Sequence, residues 1–313
     1  ADNQLDLSEN YPVSKKLYLK YTDWFIKKLN IVPKELMIEK IDYCSEKKEF
    51  TSYLDNGDQI VSKNIVVAVG FKYFKYVPSE LAEIISEDKF THTCDIADFS
   101  NLAGKSCLII GGRMSAFESA VLLNESGAEK VFVSYRHDTP DFIDSDWTWV
   151  NDYLDRFISE PSWYKDLSDQ VREELNHDFY KEGRLKMEPW LISRLDKDNI
   201  KLLPNTKIVE SNIVNDNKTE FVLDNNEKIV VDHVVFATGY KVDVNKIPFL
   251  QKGNMLNQLN VVNGFPKLDI NLQTNIPGLY MTSISATQDF GSFFGFTVSC
   301  NTSSKIIGRA LNN

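Results

Sequence analysis

The sequence has few cysteines, and none of them are arranged in a pattern that carries chemistry. The four cysteines, Cys44, Cys94, Cys107 and Cys300, are scattered along 313 residues, and no two form a CxxC pair. A disulfide framework, a structural zinc site and a dithiol redox centre all need cysteines at short, paired spacings. The pattern therefore argues against a disulfide framework, a dithiol redox centre and any metal site. It also makes a cytoplasmic location the expectation.

Long apolar runs and an excess of positive charge are also missing. The longest apolar run, Ile65–Val69, is far shorter than the about 20 residues needed to cross a bilayer. The opening residues, Ala1–Asp6, are polar and acidic, unlike a secretory signal. Lysine plus arginine number 35 against 45 for aspartate plus glutamate, a net charge of −10, which disfavours non-specific nucleic-acid binding. We therefore expect neither a membrane nor a nucleic-acid partner.

Length and local patterns predict a two-domain α/β protein. At about 100–200 residues per domain, 313 residues suggest two domains. Helical periodicity predicts helices over Ser14–Leu29, Ser115–Ser126, much of the aromatic segment Trp147–Leu195, and Ser299–Leu311. Strands are predicted over Met37–Tyr43, Glu49–Leu54, Gln59–Ser62, Asn64–Gly70, Lys105–Gly111, Lys130–Tyr135, several short stretches between Ile200 and Val235, and Asp232–Gly239.

Two of these strands carry topological information. Asn64–Gly70 is apolar on both faces, which predicts a place in the middle of a sheet that is covered on both sides. Lys105–Gly111, the following helix and Lys130–Tyr135 form a βαβ unit of the usual size. Such a unit predicts a parallel sheet with a right-handed crossover.

The turn after Lys105–Gly111 is the main functional signal. A helix N-terminus carries unpaired N–H groups and partial positive charge, so it suits a pyrophosphate, and small residues in the turn let the phosphates approach. A tight βα turn without a ligand has the same local sequence, and a lone glycine motif is a weak signal. The candidate cofactor-binding residues here are Gly111, Gly112, Arg113, Met114, Ser115 and Ala116.

The end of the next strand indicates which dinucleotide would bind. An Asp or Glu there favours NAD, whereas a nearby Arg accommodates the 2′-phosphate of NADP. Here Ser134 and Arg136 precede the first acid, Asp138. This favours NADP(H) with Ser134 and Arg136 as phosphate ligands, although a solvated Arg at a strand end fits the sequence equally well.

Several stretches together resemble FAD-dependent oxidoreductases of the flavin-containing-monooxygenase type. They include a GxGxSA-like turn and an Ala-Thr-Gly-Tyr element, and the resemblance covers nearly all of residues 12–311. The matching stretches are Phe90–Ser100, Leu102–Lys105, Ile109–Ala120, Val231–Tyr240, Pro277–Tyr280 and Phe290–Gly295.

The resemblance implies a two-dinucleotide-binding-domain flavoprotein fold, in which a Rossmann-like NADPH domain is inserted in an FAD domain. Residues 103–235 would form the NADPH domain, with a helical insert at 147–195. Residues 1–102 and 236–313 would form the FAD domain. That family opens with a GxGxxG turn for the FAD pyrophosphate, and nothing like it precedes Tyr11, so the expectation is an incomplete FAD domain.

The resemblance also implies further site residues. Gly70 and the Thr238-Gly239-Tyr240 turn would run close to the cofactors, and the loop with Phe290 and Gly291 would approach the flavin. His92 matches a family histidine near the nicotinamide and is a catalytic candidate. Alternatively, it is a linker histidine whose hydrogen bonds go to the backbone.

Two positions leave alternatives open. Arg113 stands where the usual spacing puts a glycine, so it would either block the pyrophosphate by bulk or pair with it. The aromatic residues between Trp147 and Trp190 would either line a substrate pocket or pack in the core and between domains.

The expected function is an NADPH-consuming, FAD-dependent monooxygenase. By the resemblance, NADPH would reduce the flavin and O₂ would form a flavin hydroperoxide that oxidises a small organic substrate. The alternative is a non-catalytic NADP(H)-binding module that has lost FAD binding. A disulfide reductase on the same fold would need paired cysteines, which are absent. The sequence gives no indication of substrate identity or oligomeric state.

Overall fold

The computed structural model describes residues 12–215 and 218–312, so the polar stretch Ala1–Asp6 lies outside the described residues. The α-helices of the described part are α1 (Lys15–Lys28), α2 (Ser79–Ala82), α3 (Met114–Glu125), α4 (Val150–Ser159), α5 (Trp163–Asp166), α6 (Asp169–Tyr180), α7 (Ile192–Leu195), α8 (Pro248–Gln251), α9 (Thr287–Phe290) and α10 (Cys300–Asn312). The strands are β1 (Ile38–Cys44), β2 (Glu49–Leu54), β3 (Gln59–Ser62), β4 (Ile65–Val67), β5 (Phe90–His92), β6 (Ser106–Ile110), β7 (Lys130–Ser134), β8 (Asp141–Phe142), β9 (Lys186–Met187), β10 (Ile200–Leu203), β11 (Ile208–Asn215), β12 (Lys218–Leu223), β13 (Lys228–Val231), β14 (His233–Phe236), β15 (Val261–Val262), β16 (Phe265–Pro266) and β17 (Leu279–Met281).

A five-stranded parallel sheet forms the centre of the molecule. Its strand order is β10-β7-β6-β14-β5, and each neighbouring pair is parallel. The β6–α3–β7 unit confirms the predicted βαβ unit and parallel sheet. Gly127, with φ +87°, follows α3 and allows the chain to turn back into β7.

Both faces of this sheet are buried, which explains why β6 is a continuous apolar run. Cys107 and Ile109 pack on the face covered by α3, whereas Leu108 lies on the opposite face. That second face is covered by the antiparallel sheet β11-β12-β13, from which Phe221 packs against the same cluster as Leu108. Successive residues of a strand point to opposite faces, so a strand covered on both sides needs apolar residues throughout.

The five-stranded sheet extends beyond the predicted NADPH segment 103–235. Strand β5 pairs in parallel with β14, from Phe90 opposite Val234 to His92 opposite Phe236. Residues 90–92 therefore belong to the same sheet as β6, although they precede the expected domain boundary after residue 102. This pairing places His92 beside the turn that follows β14.

The prediction that Asn64–Gly70 forms a central strand is wrong. Only Ile65–Val67 is strand, and within the described residues it pairs with β17 alone in a two-stranded sheet. Val66 is 43% exposed. Apolar side chains on both faces of a strand indicate that the strand tends to be buried. They do not determine how many other strands pair with it in the described part of the chain.

The helical segment 147–195 shares a hydrophobic core with the C-terminal part of the chain. Phe157 of α4 is 1% exposed, and its ring centroid lies 5.4 Å from that of Phe290 and 5.1 Å from that of Phe294. Trp163 and Tyr164 of α5 join the same cluster. Of the two alternatives for the aromatic run, these contacts favour core packing for the residues of α4 and α5.

Helix α1 forms where the sequence predicts it. The Ser14 side chain accepts a hydrogen bond from the Leu17 N–H and caps the helix. Its aromatic side chains are nevertheless not covered by the described residues, since Tyr21 and Trp24 are 54% and 56% exposed. Neither α1 nor any other described helix is long and apolar enough to cross a membrane.

Candidate functional site

The candidate site lies at the carboxyl ends of β6 and β14. The chain leaves β6 towards β7 on one side, whereas β14 lies on the other side of β6. In open parallel sheets, ligands bind in the crevice where the strand order reverses in this way. The turn beginning at Gly111 and the turn containing Gly239 therefore face the same crevice.

Gly111 and Gly112 fit the turn because no side chain could be accommodated there. A Cβ atom on Gly111 would lie 2.4 Å from the Ala237 backbone oxygen, next to the end of β14. A Cβ atom on Gly112 would lie 2.5 Å from the Tyr135 Cβ atom and 2.7 Å from His137 Nε2. The two glycines thus allow the turn to pass between the chain segments that follow β7 and β14.

The N-terminus of α3 has free backbone donors. Arg113 is the N-cap residue and makes no side-chain cap, and Ser115 is exposed. Within the described residues, no hydrogen bond reaches the N–H groups of Met114 and Ser115. Ala116 is fully buried, as close helix packing requires. Unpaired N–H groups and the helix dipole together favour an anion at this position.

Ser134 and Arg136 differ in their access to this site. Ser134 is 3% exposed, and its hydroxyl hydrogen bonds to the Thr206 hydroxyl at 2.9 Å, so it is turned into the protein. Arg136 is exposed beyond the end of β7. The geometry therefore favours Arg136 over Ser134 as a phosphate ligand. The His137 ring also lies close to the turn, since a Cβ atom on Gly112 would lie 2.7 Å from its Nε2 atom.

His92 is buried, and both of its ring nitrogens contact backbone groups. The Cys94 N–H donates to Nδ1 at 3.0 Å, so the hydrogen is on Nε2, which donates to the Gly239 carbonyl oxygen at 3.1 Å. Burial lowers the pKa of His92 below its ordinary value. These bonds match the alternative of a linker histidine satisfied by the backbone, and they connect β5 to the Gly239 turn.

The lowered pKa of His92 predicts a loss of stability in acid. As the pH falls below the ordinary histidine value of about 6.5, the unfolded chain takes up a proton before the folded protein does. The stabilising contribution is therefore present above that pH and is lost as the pH falls towards the folded pKa. The His92→Asn variant keeps an acceptor for the Cys94 N–H, and its unfolding free energy should fall less between pH 7 and 5 than that of the wild type.

The control for this measurement is His177→Asn, which replaces an exposed histidine of α6. Its pH dependence in denaturant titrations should follow that of the wild type. Burial also lowers the pKa of His233, but that residue is present in all three proteins and cancels in the comparison. Equal slopes for His92→Asn and wild type would contradict the prediction.

Tyr240 and Thr238 connect the β14 turn to the loop after β4. The Tyr240 ring lies 4.6 Å from the Phe71 ring and 5.4 Å from the His92 ring, between centroids. Burial, followed by the neighbouring Cys94, raises the pKa of Tyr240 to about 12, so its hydroxyl stays protonated. The Thr238 hydroxyl donates to the Tyr76 carbonyl oxygen. Both side chains therefore hold the turn in place.

Gly70 and Gly239 differ from Gly291 in what surrounds them. A Cβ atom on Gly70 or Gly239 would meet no atom within 4 Å, so the backbone is open there to a bound molecule. A Cβ atom on Gly291 would lie 2.8 Å from the Phe293 ring, and Phe290 is 1% exposed. Phe290 and Gly291, both predicted near the flavin, thus lie in the aromatic core.

The helical segment 147–195 also places residues next to the turn at Gly111. The Arg113 guanidinium donates to the Tyr180 hydroxyl at 3.2 Å, so its side chain leaves the turn and reaches α6. Arg184 lies four residues beyond Tyr180 along the same helical path. Sequence reasoning missed Tyr180 and Arg184, because nothing local connects them to a turn so far away in the chain.

A mostly apolar cavity of about 250 Å³ lies between the start of the helical segment and the chain after Gly295. It is lined by Trp147, Val150, Phe296, Thr297 and Val298. Arg184 lies over the Phe296 ring, 5.6 Å from its centroid. Of the aromatic run, Trp147 at the edge of the segment lines this cavity.

The sequence and fold place this chain in a known family. Residues 26–282 match the family model described as pyridine nucleotide-disulphide oxidoreductase, and the chain belongs to this family. The membership agrees with the predicted two-dinucleotide-binding-domain fold. The family is one of flavoprotein-type oxidoreductases.

Individual relatives are more distant. Trimethylamine monooxygenase from Pelagibacter ubique (strain HTCC1002) is 25% identical over 164 residues, which span 50% of this chain and 37% of that protein. The fold is similar to that of ornithine hydroxylase PvdA from Pseudomonas aeruginosa, with TM-score 0.72, 16% identity, and coverage of 95% of this chain and 75% of the other. Thioredoxin reductase from Lactococcus lactis matches with TM-score 0.61 and 16% identity over 97% of this chain and 84% of the other.

Proposed function

We propose that this chain belongs to an NADPH- and FAD-dependent monooxygenase that oxidises a small organic molecule with O₂. The observation that carries the proposal is that two features face one crevice, where the strand order of a parallel sheet reverses. They are the α3 N-terminus, which has no side-chain cap, and the open backbone at Gly239. Such a crevice fits an extended dinucleotide, with its diphosphate on the helix and its reactive ring beside the second turn.

NADPH is the dinucleotide that this crevice fits best. The Met114 and Ser115 N–H groups would bind its diphosphate, and the open backbone at Gly239 would lie against the nicotinamide. Arg136, exposed at the end of β7, has no carboxylate partner within the described residues and is available for the 2′-phosphate. His92 would fix the Gly239 carbonyl oxygen through its Nε2–H and so position this turn.

Support for FAD comes from relatives and from the open backbone at Gly70. One structural neighbour, an ornithine N-hydroxylase from Kutzneria sp. 744 with TM-score 0.73 and 15% identity over 98% of this chain and 79% of the other, was solved with reduced FAD and NADP⁺. Bound FAD would supply two-electron transfer from NADPH and the activation of O₂. The described residues hold one strand–glycine–helix turn of the dinucleotide type, at Gly111, and we assign it to NADPH.

The cavity beside Phe296 is the proposed position of the substrate. Its volume of about 250 Å³ lies slightly below the usual range for small-molecule sites, roughly 300–1,000 Å³. The relatives act on different small molecules, among them trimethylamine and ornithine by their names. The proposed substrate is accordingly a small molecule, and Trp147 would contact it.

Titration with NADPH tests this proposal directly. Isothermal titration calorimetry of the purified protein should show one NADPH site that binds NADH more weakly, because Arg136 would contact the 2′-phosphate. A visible spectrum with and without added FAD should then show a bound oxidised flavin, and the FAD-loaded protein should consume NADPH. Absence of NADPH binding would overturn the proposal.

A non-catalytic NADP(H)-binding module is the second candidate. It is favoured by the presence of a single dinucleotide-type turn among the described residues. Binding of NADPH without uptake of added FAD would support the module and contradict the monooxygenase. A disulfide reductase is disfavoured because all four cysteines are free and Cys107 is buried.

A further inference from the structure

Three arginines near the crevice have no ion-pair partner among the described residues. Of the seven arginines in the sequence, Arg156, Arg172 and Arg194 form ion pairs with carboxylates, and Arg309 donates to a backbone oxygen. Within the described residues the other three, Arg113, Arg136 and Arg184, have no carboxylate partner. A chain with a net charge of −10 has many acids, so unpaired arginines near one crevice suggest a place for an external anion.

Arg113 is held outside the turn by the helical segment. Its guanidinium donates to the Tyr180 hydroxyl at 3.2 Å and lies 5.9 Å from the centre of the Tyr180 ring. The side chain therefore does not fill the space in front of the α3 N-terminus. Of the two alternatives for Arg113, this geometry disfavours blocking by bulk.

Arg184 approaches the same place from the helical segment. Helix α6 ends at Tyr180 and continues directly as a π-helical turn, Lys181–Leu185, so Arg184 lies on nearly the same side as Tyr180. π-Helical turns are rare and occur frequently at functional sites. The Arg184 residue is exposed overall, but burial of its guanidinium lowers its pKa; the neighbouring Tyr180 raises this pKa and the positive charge of Arg113 lowers it.

An anion that contacts both guanidinium groups would neutralise two positive charges that have no carboxylate partner within the described residues. A guanidinium binds phosphate oxygens through two parallel N–H bonds, which are roughly twice as strong as neutral hydrogen bonds. The free N–H groups of Met114 and Ser115 directly follow Arg113 in the chain, and they also favour an anionic ligand.

We propose that Arg113 and Arg184 bind the diphosphate of NADPH together with the N-terminus of α3, so that the helical segment forms one wall of the nucleotide site. This inference rests on the proposed function, because it assigns two further residues to the NADPH site. The Tyr180 hydroxyl positions Arg113, and the segment 147–195 thereby contacts both the nucleotide and the cavity beside Phe296.

Calorimetric titration of four single variants with NADPH and with NADH tests the inference. Arg113→Ala and Arg184→Ala should each weaken both nucleotides by the same factor, about ten- to a hundredfold, because NADPH and NADH share the diphosphate. Arg136→Ala should weaken NADPH alone, because only NADPH carries the 2′-phosphate. Arg194→Ala is the matched control, since Arg194 pairs with Glu125 at the other end of α3, and its affinities should equal those of the wild type.

The outcomes separate this inference from the proposed function. If the wild type binds NADPH and the Arg113 and Arg184 variants bind it equally well, the inference is wrong and the proposed function stands. If the wild type binds neither nucleotide, both are wrong. Arg113→Lys keeps the charge but not the paired N–H geometry, so it should recover only part of the affinity lost in Arg113→Ala. Thermal melts of each variant check that it is folded.

Discussion

Replacing Gly111 with alanine is expected to lower the free energy of unfolding by about 2–4 kcal/mol. The new Cβ atom would lie 2.4 Å from the Ala237 backbone oxygen and 2.9 Å from its carbonyl carbon. Both atoms belong to the backbone beyond β14, so no side-chain rotation relieves the contact. Gly111 also has φ +146°, a conformation that alanine rarely adopts. Equilibrium denaturation with urea measures the loss.

The matched control for this variant is Gly57→Ala. Gly57 has φ +87°, but a Cβ atom there would meet no atom within 4 Å. Its expected cost is the backbone penalty alone, about 1–2 kcal/mol. If the two variants lost equal stability, the contact with β14 would be relieved at little cost and the steric argument would be wrong. Gly111→Ala should also lose NADPH affinity, whereas Gly57→Ala should keep it.

Truncation of Phe157 is the second change with a large expected effect. Phe157→Ala should lower the free energy of unfolding by about 3–5 kcal/mol, since it removes a 1% exposed ring and leaves a cavity. The ring centroid lies 4.9 Å from that of Trp163 and 5.1 Å from that of Phe294. Because Trp163 is a direct neighbour, tryptophan fluorescence during denaturation reports on the same contact.

An exposed aromatic residue provides the comparison for Phe157. Tyr18 of α1 is 54% exposed, so Tyr18→Ala should change the stability by less than about 1 kcal/mol. A loss of similar size in both variants would show that burial of Phe157 in the shared core is not what stabilises the protein.

Much of the central sheet could be predicted from the sequence because its signals are local. The continuous apolar run of β6, the glycines after it and the helical periodicity of α3 all occur within one short segment. The turn that joins β12 and β13 has an equally local signal, the run Asp224-Asn225-Asn226, and Asn226 has φ 66°. Local sequence determines such turns through the few residues that tolerate positive φ.

The misplaced strand and the missed site residues have a different origin. The two-stranded pairing of β4 with β17 depends on residues 279–281, which no local pattern connects to Ile65–Val67. The position of Tyr180 beside Arg113, with Arg184 four residues further on, depends on how a whole helical segment packs. The resemblance implies that Phe290 and Gly291 lie near the flavin, and no local pattern predicts that Phe293 and Tyr164 fill the space around Gly291.

The shared aromatic core has a consequence for how the chain reaches its native state. Helices α4 and α5 are synthesised long before Phe290 and Phe294, which complete their core. During synthesis the aromatic rings of these helices are therefore exposed to solvent until the C-terminal part has been made. Contacts between residues so distant in sequence also form slowly. We expect the helical segment to be the last part of the protein to become resistant to protease during refolding, after the β6–α3–β7 unit, whose contacts are local.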